Sequence, residues 1–148
     1  ATDNNAHALL QFSTGPIPKG AKLVQADLKV FLKSVAIAQA QRSVSAHRIT
    51  RSWPDNTTWG SPWTSKGGDY VPNPEATLSN LSSVAAGLPY ILPVTGLVDS
   101  WVNKSVPNHG MLLRTVGMSN AQFVSSDSDA ADVSRRPVLT ATYYPACT

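Results

Sequence analysis

Trp53, Trp59, Trp63 and Tyr70 crowd one Pro- and Gly-rich stretch of the chain. Flat aromatic faces with a polar tip are suited to stacking on pyranose rings, which makes Trp63 and Tyr70 candidates for contact with a glycan. Lys29, Phe31 and Lys33 recur at a spacing of two, so one strand face would carry an aromatic between two cations, a grouping suited to an anionic sugar. Ser45 and His47 would join that face if their segment paired with it. Arg42 adds a donor for charge-assisted hydrogen bonds to carboxylates. The plainer reading of Lys29, Phe31 and Lys33 is preferred: a solvated face whose one Phe is covered by a loop. Asp127, Asp129 and Asp132 form a D-x-D-x-x-D cluster whose oxygens could wrap a structural calcium ion. The cluster lacks the Gly and terminal Glu of an EF-hand loop, and Asx-turn chemistry in a wet loop is its plainer reading.

Catalytic chemistry finds little footing. His7, His47 and His109 are far apart, Glu75 is the only glutamate, and no H-E-x-x-H, G-x-S-x-G or Cys/His signature occurs. A non-catalytic protein that requires no cofactor is expected. The formal charge of +3 is mild and its cations are scattered apart from Arg135-Arg136. Nucleic acid would ask for a denser basic face, whereas an acidic polysaccharide is compatible with this charge. Cys147 is the only cysteine, so no internal disulfide can form and a solvent-facing thiol is expected. Asn56, Asn80 and Asn103 head glycosylation sequons that matter only in a eukaryotic source.

These residues must be held by strands. The 148 residues are enough for one domain with a single core, and only 14 % are charged. No apolar run approaches the roughly 20 residues of a membrane span. The chain begins at Ala1 without an initiator Met or a secretory signal, as a processed or trimmed product would. Ala8 to Phe12 is a short apolar run closed by a Gly/Pro turn. Lys22 to Val35 alternates, with Ala26, Leu28, Val30 and Leu32 on the buried face. Beyond a Gln/Ala linker, Val44 to Thr50 reads as a strand whose pattern slips between Ala46 and Ile49, as at a bulge. Ser52 to Pro89 is a long Pro-rich connection. Tyr90 to Val94 is a short strand. Leu97, Val98, Trp101 and Val102 then mark one helical face, with Thr95 as its N-cap and Trp101 in the core. Strands at Met111 to Val116, Gln122 to Ser125 and Val138 to Tyr144 complete an all-β, jelly-roll-like antiparallel sandwich with one short helix.

Four stretches resemble the disaggregatase-related (DNRLRE) domains of secreted microbial proteins. They are Ala8 to Phe12 with Ile17 to Ala21; Val44 to Trp53 with Thr57-Thr58-Trp59; Val94 to Val102 with Asn108 to Leu113; and Arg136 to Tyr143. The resemblance implies a secreted or cell-surface β-sandwich, in some members a binder of alginate or other polysaccharides. It places Trp53 and Trp59 at structural positions that pin the loop, which leaves Trp63 and Tyr70 for sugar. It also implies an opening strand ahead of Ala8 for which this chain offers only seven residues. A sandwich short of a strand exposes an unpaired edge, which upstream sequence could fill, the fold could tolerate, or a neighbouring chain could pair by donating a strand. The leading expectation is therefore an extracellular polysaccharide-binding or surface-attachment module with acidic glycans preferred. The alternative is a filament subunit that self-associates by strand donation through an open sheet edge.

Overall fold

The computed structural model describes residues 7–34, 37–54, 56–58, 60–64, 67–79, 87–119, 122–124 and 134–145. Its elements in chain order are β1 (His7–Leu10), β2 (Lys22–Ser34), β3 (Ile37–Arg48), β4 (Ala76–Leu78), β5 (Pro89–Pro93), α1 (Thr95–Asn103), β6 (Met111–Ser119), β7 (Gln122–Phe123) and β8 (Val138–Tyr144). Two antiparallel sheets face each other. One has the order β1-β6-β3-β4; in the other, β2 is central, with β5 along one edge and β8 followed by β7 along the opposite edge. The chain crosses between sheets at most connections; β3 to β4 and β7 to β8 stay within one. This is the expected all-β sandwich.

Alternation explains the core. Ala26, Leu28, Val30 and Leu32 of β2 are all fully buried, and they meet Val44 and Ala46 of β3, Leu92 of β5 and Met111 and Leu113 of β6. Fully burying side chains of this size stabilises the fold by roughly 1.5–3 kcal/mol each. The helix packs onto β2 with Leu97, Val98 and Trp101. Thr95 does not cap it. Val94 holds the N-cap position without a side-chain bond, and the Thr95 hydroxyl instead accepts from the Ala26 N–H at 3.0 Å, tying the helix to β2. At the other end, Asn103 donates to the Ala21 carbonyl at 2.9 Å and accepts from the Gly20 N–H at 2.7 Å. Its carboxamide is thus committed to packing.

Two expectations about β3 need correction. The Gln/Ala linker is strand, since β3 begins at Ile37. No bulge follows Ala46: the β3–β6 ladder runs unbroken from Ser43–Val116 to Arg48–Met111, and its register shift lies earlier, between Ala38 and Ser43. The pattern slips because His47 and Ile49, on the outer face, are buried too. Something covers that face.

The cover is the Pro-rich segment. It folds back along β3 through Thr50 N–H to Asp69 O, Val71 N–H to Arg48 O and Glu75 N–H to Ala46 O, each at 2.8–2.9 Å, and ends as β4. A second small core forms beneath it from Ile49, Leu112 and Trp63, flanked by Leu9, Trp53 and Tyr70. Gly110 permits this junction. Its φ is 87°, and a Cβ there would collide with the Leu10 carbonyl.

Candidate functional site

The outer face of the β1-β6-β3-β4 sheet carries a polar row across its four strands. His7 pairs with Arg114, Arg114 with Ser45, and Ser45 with Thr77. Directly opposite residues on one face lie close enough for their side chains to interact. Arg114 of this row, together with Arg51, Thr64, Asp69 and Tyr70 from the covering segment among others, lines an open cleft of ≈ 770 Å³.

Each wall has a local cause. Arg51 follows the end of β3, where the chain turns away from the sheet. Asp69 is fixed because both its carboxylate oxygens accept from the Thr64 N–H, at 3.0 and 2.9 Å. Gly68, with φ 121°, lets the backbone pass over β6, since a Cβ would lie 2.8 Å from Leu112 Cδ1. Tyr70 then lands between two imidazoles, with ring centroids 5.8 Å from His7 and 4.9 Å from His47, both edge-on.

The histidines act as struts. His7 Nδ1 donates to the Gly67 carbonyl at 2.6 Å. His47 is buried, and its Nδ1 bonds the Val71 carbonyl at 2.9 Å. A carbonyl can only accept, so Nδ1 carries the proton, leaving neutral Nε2 to accept from the Ser45 hydroxyl at 2.8 Å. Burial holds the His47 pKa below 6.5; the Val71 carbonyl opposes this, the Arg114 guanidinium and His7 reinforce it, and Glu75 opposes it weakly. Neutral His47 can therefore sit beside Arg114 without charge repulsion. Among the described residues the cleft presents two guanidinium groups against one carboxylate that backbone already engages. An aromatic ring and hydroxyl groups complete a surface able to take a sugar acid.

Of the residues singled out in the sequence, Tyr70 lines this cleft and His47 lies beneath it. Trp63 lies elsewhere: it is 8 % exposed, its indole N–H donates to the Thr58 carbonyl at 3.0 Å, and it belongs to the second core. Trp53 is half-buried and donates to the His109 carbonyl at 2.7 Å. Lys29, Phe31 and Lys33 stand together on the outer face of the other sheet, with Lys29 Nζ 5.2 Å from the Phe31 ring centroid. His47 cannot join them, because β2 and β3 belong to different sheets. Arg42 lies apart from the cleft, close enough to buried Tyr90 for its charge to offset partly the rise that burial imposes on that phenol. Asp127, Asp129, Asp132, Trp59 and Cys147 lie outside the described residues. Among the described residues no cluster of three metal-ligating side chains occurs, and no helix is long and apolar enough to cross a membrane.

Sequence reasoning missed Arg51, Asp69, Arg114 and His7. One signal for Arg114 was present: Met111-Leu112-Leu113 are three consecutive apolar residues, the mark of a strand buried on both faces. A charge immediately after such a run stands at the rim of whatever covers it. No protein-family model matches this chain, and no curated protein matches it. The fold and the cleft carry the functional argument by themselves.

Proposed function

We propose that this chain is a non-catalytic, extracellular binding module for an acidic polysaccharide of the uronic-acid type. The observation that carries the reading is the convergence of Arg51, Arg114 and Tyr70 on one open cleft. Guanidinium forks match carboxylates in geometry as well as charge. The cleft is open rather than enclosed, as a polymer passing through it would require. The resemblance to disaggregatase-related domains points the same way and remains a resemblance. Among the described residues that line the cleft Asp69 is the single carboxylate, and one carboxylate makes no general acid–base pair, which favours binding over turnover.

The test is affinity electrophoresis of the purified domain through gels containing alginate, pectin, cellulose or chitin. The expected result is retardation by alginate or pectin that weakens as salt is raised, with no shortening of the polymer on prolonged incubation. Free migration through both acidic polymers, or depolymerisation of either, would refute the reading.

A further inference from the structure

The β8 strand forms one edge of the second sheet. Among the described residues it pairs with β2 alone, so every other N–H and C=O along Val138–Tyr144 points away from the sheet with no described strand to receive it. Natural edge strands are commonly protected by charge, proline or brevity. This one has none of these: its seven residues are Val138-Leu139-Thr140-Ala141-Thr142-Tyr143-Tyr144. Both of its faces are also unfinished. Val138 and Tyr144 are 49 % and 65 % exposed on the outer side. On the inner side Leu139, Ala141 and Tyr143 are only half-buried, and with Phe12, Pro16 and Ile17 they line an apolar groove of ≈ 230 Å³ at the seam between the sheets.

We infer that this edge is a self-complementary interface, and that two copies of the chain pair β8 to β8 about a two-fold axis at Ala141. The sequence of the strand supplies the reason. Centred on Ala141, antiparallel pairing uses all seven residues, whereas any other register leaves some unpaired. It sets Leu139 against the partner's Tyr143 on the groove side. On the outer side it sets Thr140 against the partner's Thr142 and Val138 against the partner's Tyr144. Threonine–threonine and aromatic–β-branched pairs are among the favourable cross-strand combinations, and no charge is brought together. An isologous contact of this kind closes on itself, so it yields a dimer and not an open filament. A contact built on one strand and its flanking groove belongs to the weak, concentration-dependent class. The inference is independent of what the cleft on the other sheet binds.

The register makes the test specific, because positions 140 and 142 face each other across the axis. Sedimentation velocity of the whole chain should show the mass doubling as concentration rises. Thr140→Lys with Thr142→Lys opposes like charges twice and should leave a monomer. Thr140→Lys with Thr142→Glu opposes unlike charges twice and should restore the dimer, with unchanged near-ultraviolet circular dichroism in both variants as the check on folding. Where either variant fails to fold, Ala141→Cys in a Cys147→Ser background replaces it and should oxidise to a disulfide-linked dimer. A wild-type chain that stays monomeric throughout, forms open fibres, or dimerises equally well with both charge pairs would overturn the inference.

Discussion

The two sheets obey the same alternation but end differently on their outer faces. On the β5-β2-β8 sheet the outward residues meet solvent: Ile91 is 50 % exposed beside Lys29, and the Lys29–Phe31 contact sits in the open. On the β1-β6-β3-β4 sheet the outward residues Leu112 and His47 are buried beneath the Pro-rich cover. The cover does two things at once. It makes a second core, and with Arg114 of the sheet it walls a cleft with fixed polar groups. Chemistry collects where a surface is partly covered, because only there are side chains both reachable and held in place. The bare face offers cations in the open, with Lys29 resting against the Phe31 ring.

That contrast can be broken by mutation, and the largest effect belongs to the core beneath the cover. Leu112→Ala should cost about 3 kcal/mol in chemical denaturation, because it removes a fully buried side chain. Ile91→Ala, also outward-facing but half exposed, should cost less than about 1 kcal/mol. Equal costs would mean that the cover is not packed. Trp53→Phe keeps most of the ring volume but deletes the N–H that reaches the His109 carbonyl, and a loss of about 1 kcal/mol is expected. The smallest effect is a pH dependence. Because burial holds His47 below 6.5, the unfolded chain takes up more protons than the folded one beneath that pH. The stability tied to neutral His47 is complete above about pH 6.5 and is lost as pH falls towards the folded value. Tm should therefore drop between about pH 7 and about pH 5, and drop less in His47→Gln. Parallel curves would remove His47 as a strut.

The bare sheet was the legible one. Strand β2 alternates cleanly because one side meets core and the other water, so Ala26 to Leu32 could be assigned from sequence. Strand β8 was legible in full for a similar reason. The covered sheet was legible only in part, through the runs at Ala8 to Phe12, Val44 to Thr50 and Met111 to Val116. Burial of His47 and Ile49 on its outer face imitates a bulge, and the Ala/Gln start of β3 carries no apolar period. The three-residue β4 pairs only because the segment before it is already zipped to β3. Residue type alone also does not separate the aromatics. Trp63 and Tyr70 have the same stacking chemistry, and only the path of the chain decides that one is packed and the other lines the cleft. Arg51 and Arg114 come together across most of the covering segment and the helix, a convergence that no local spacing records.

The central claim is that the covered face, and not the bare one, binds acidic polysaccharide. Its most direct test compares two double variants in the alginate gel: Arg51→Ala with Arg114→Ala on one face, and Lys29→Ala with Lys33→Ala on the other. Each loses two positive charges, so a difference between them reports position and not net charge. We expect the arginine pair to lose about tenfold or more in affinity while the lysine pair migrates close to the native chain. Retention that survives loss of the arginines but not of the lysines would contradict the account.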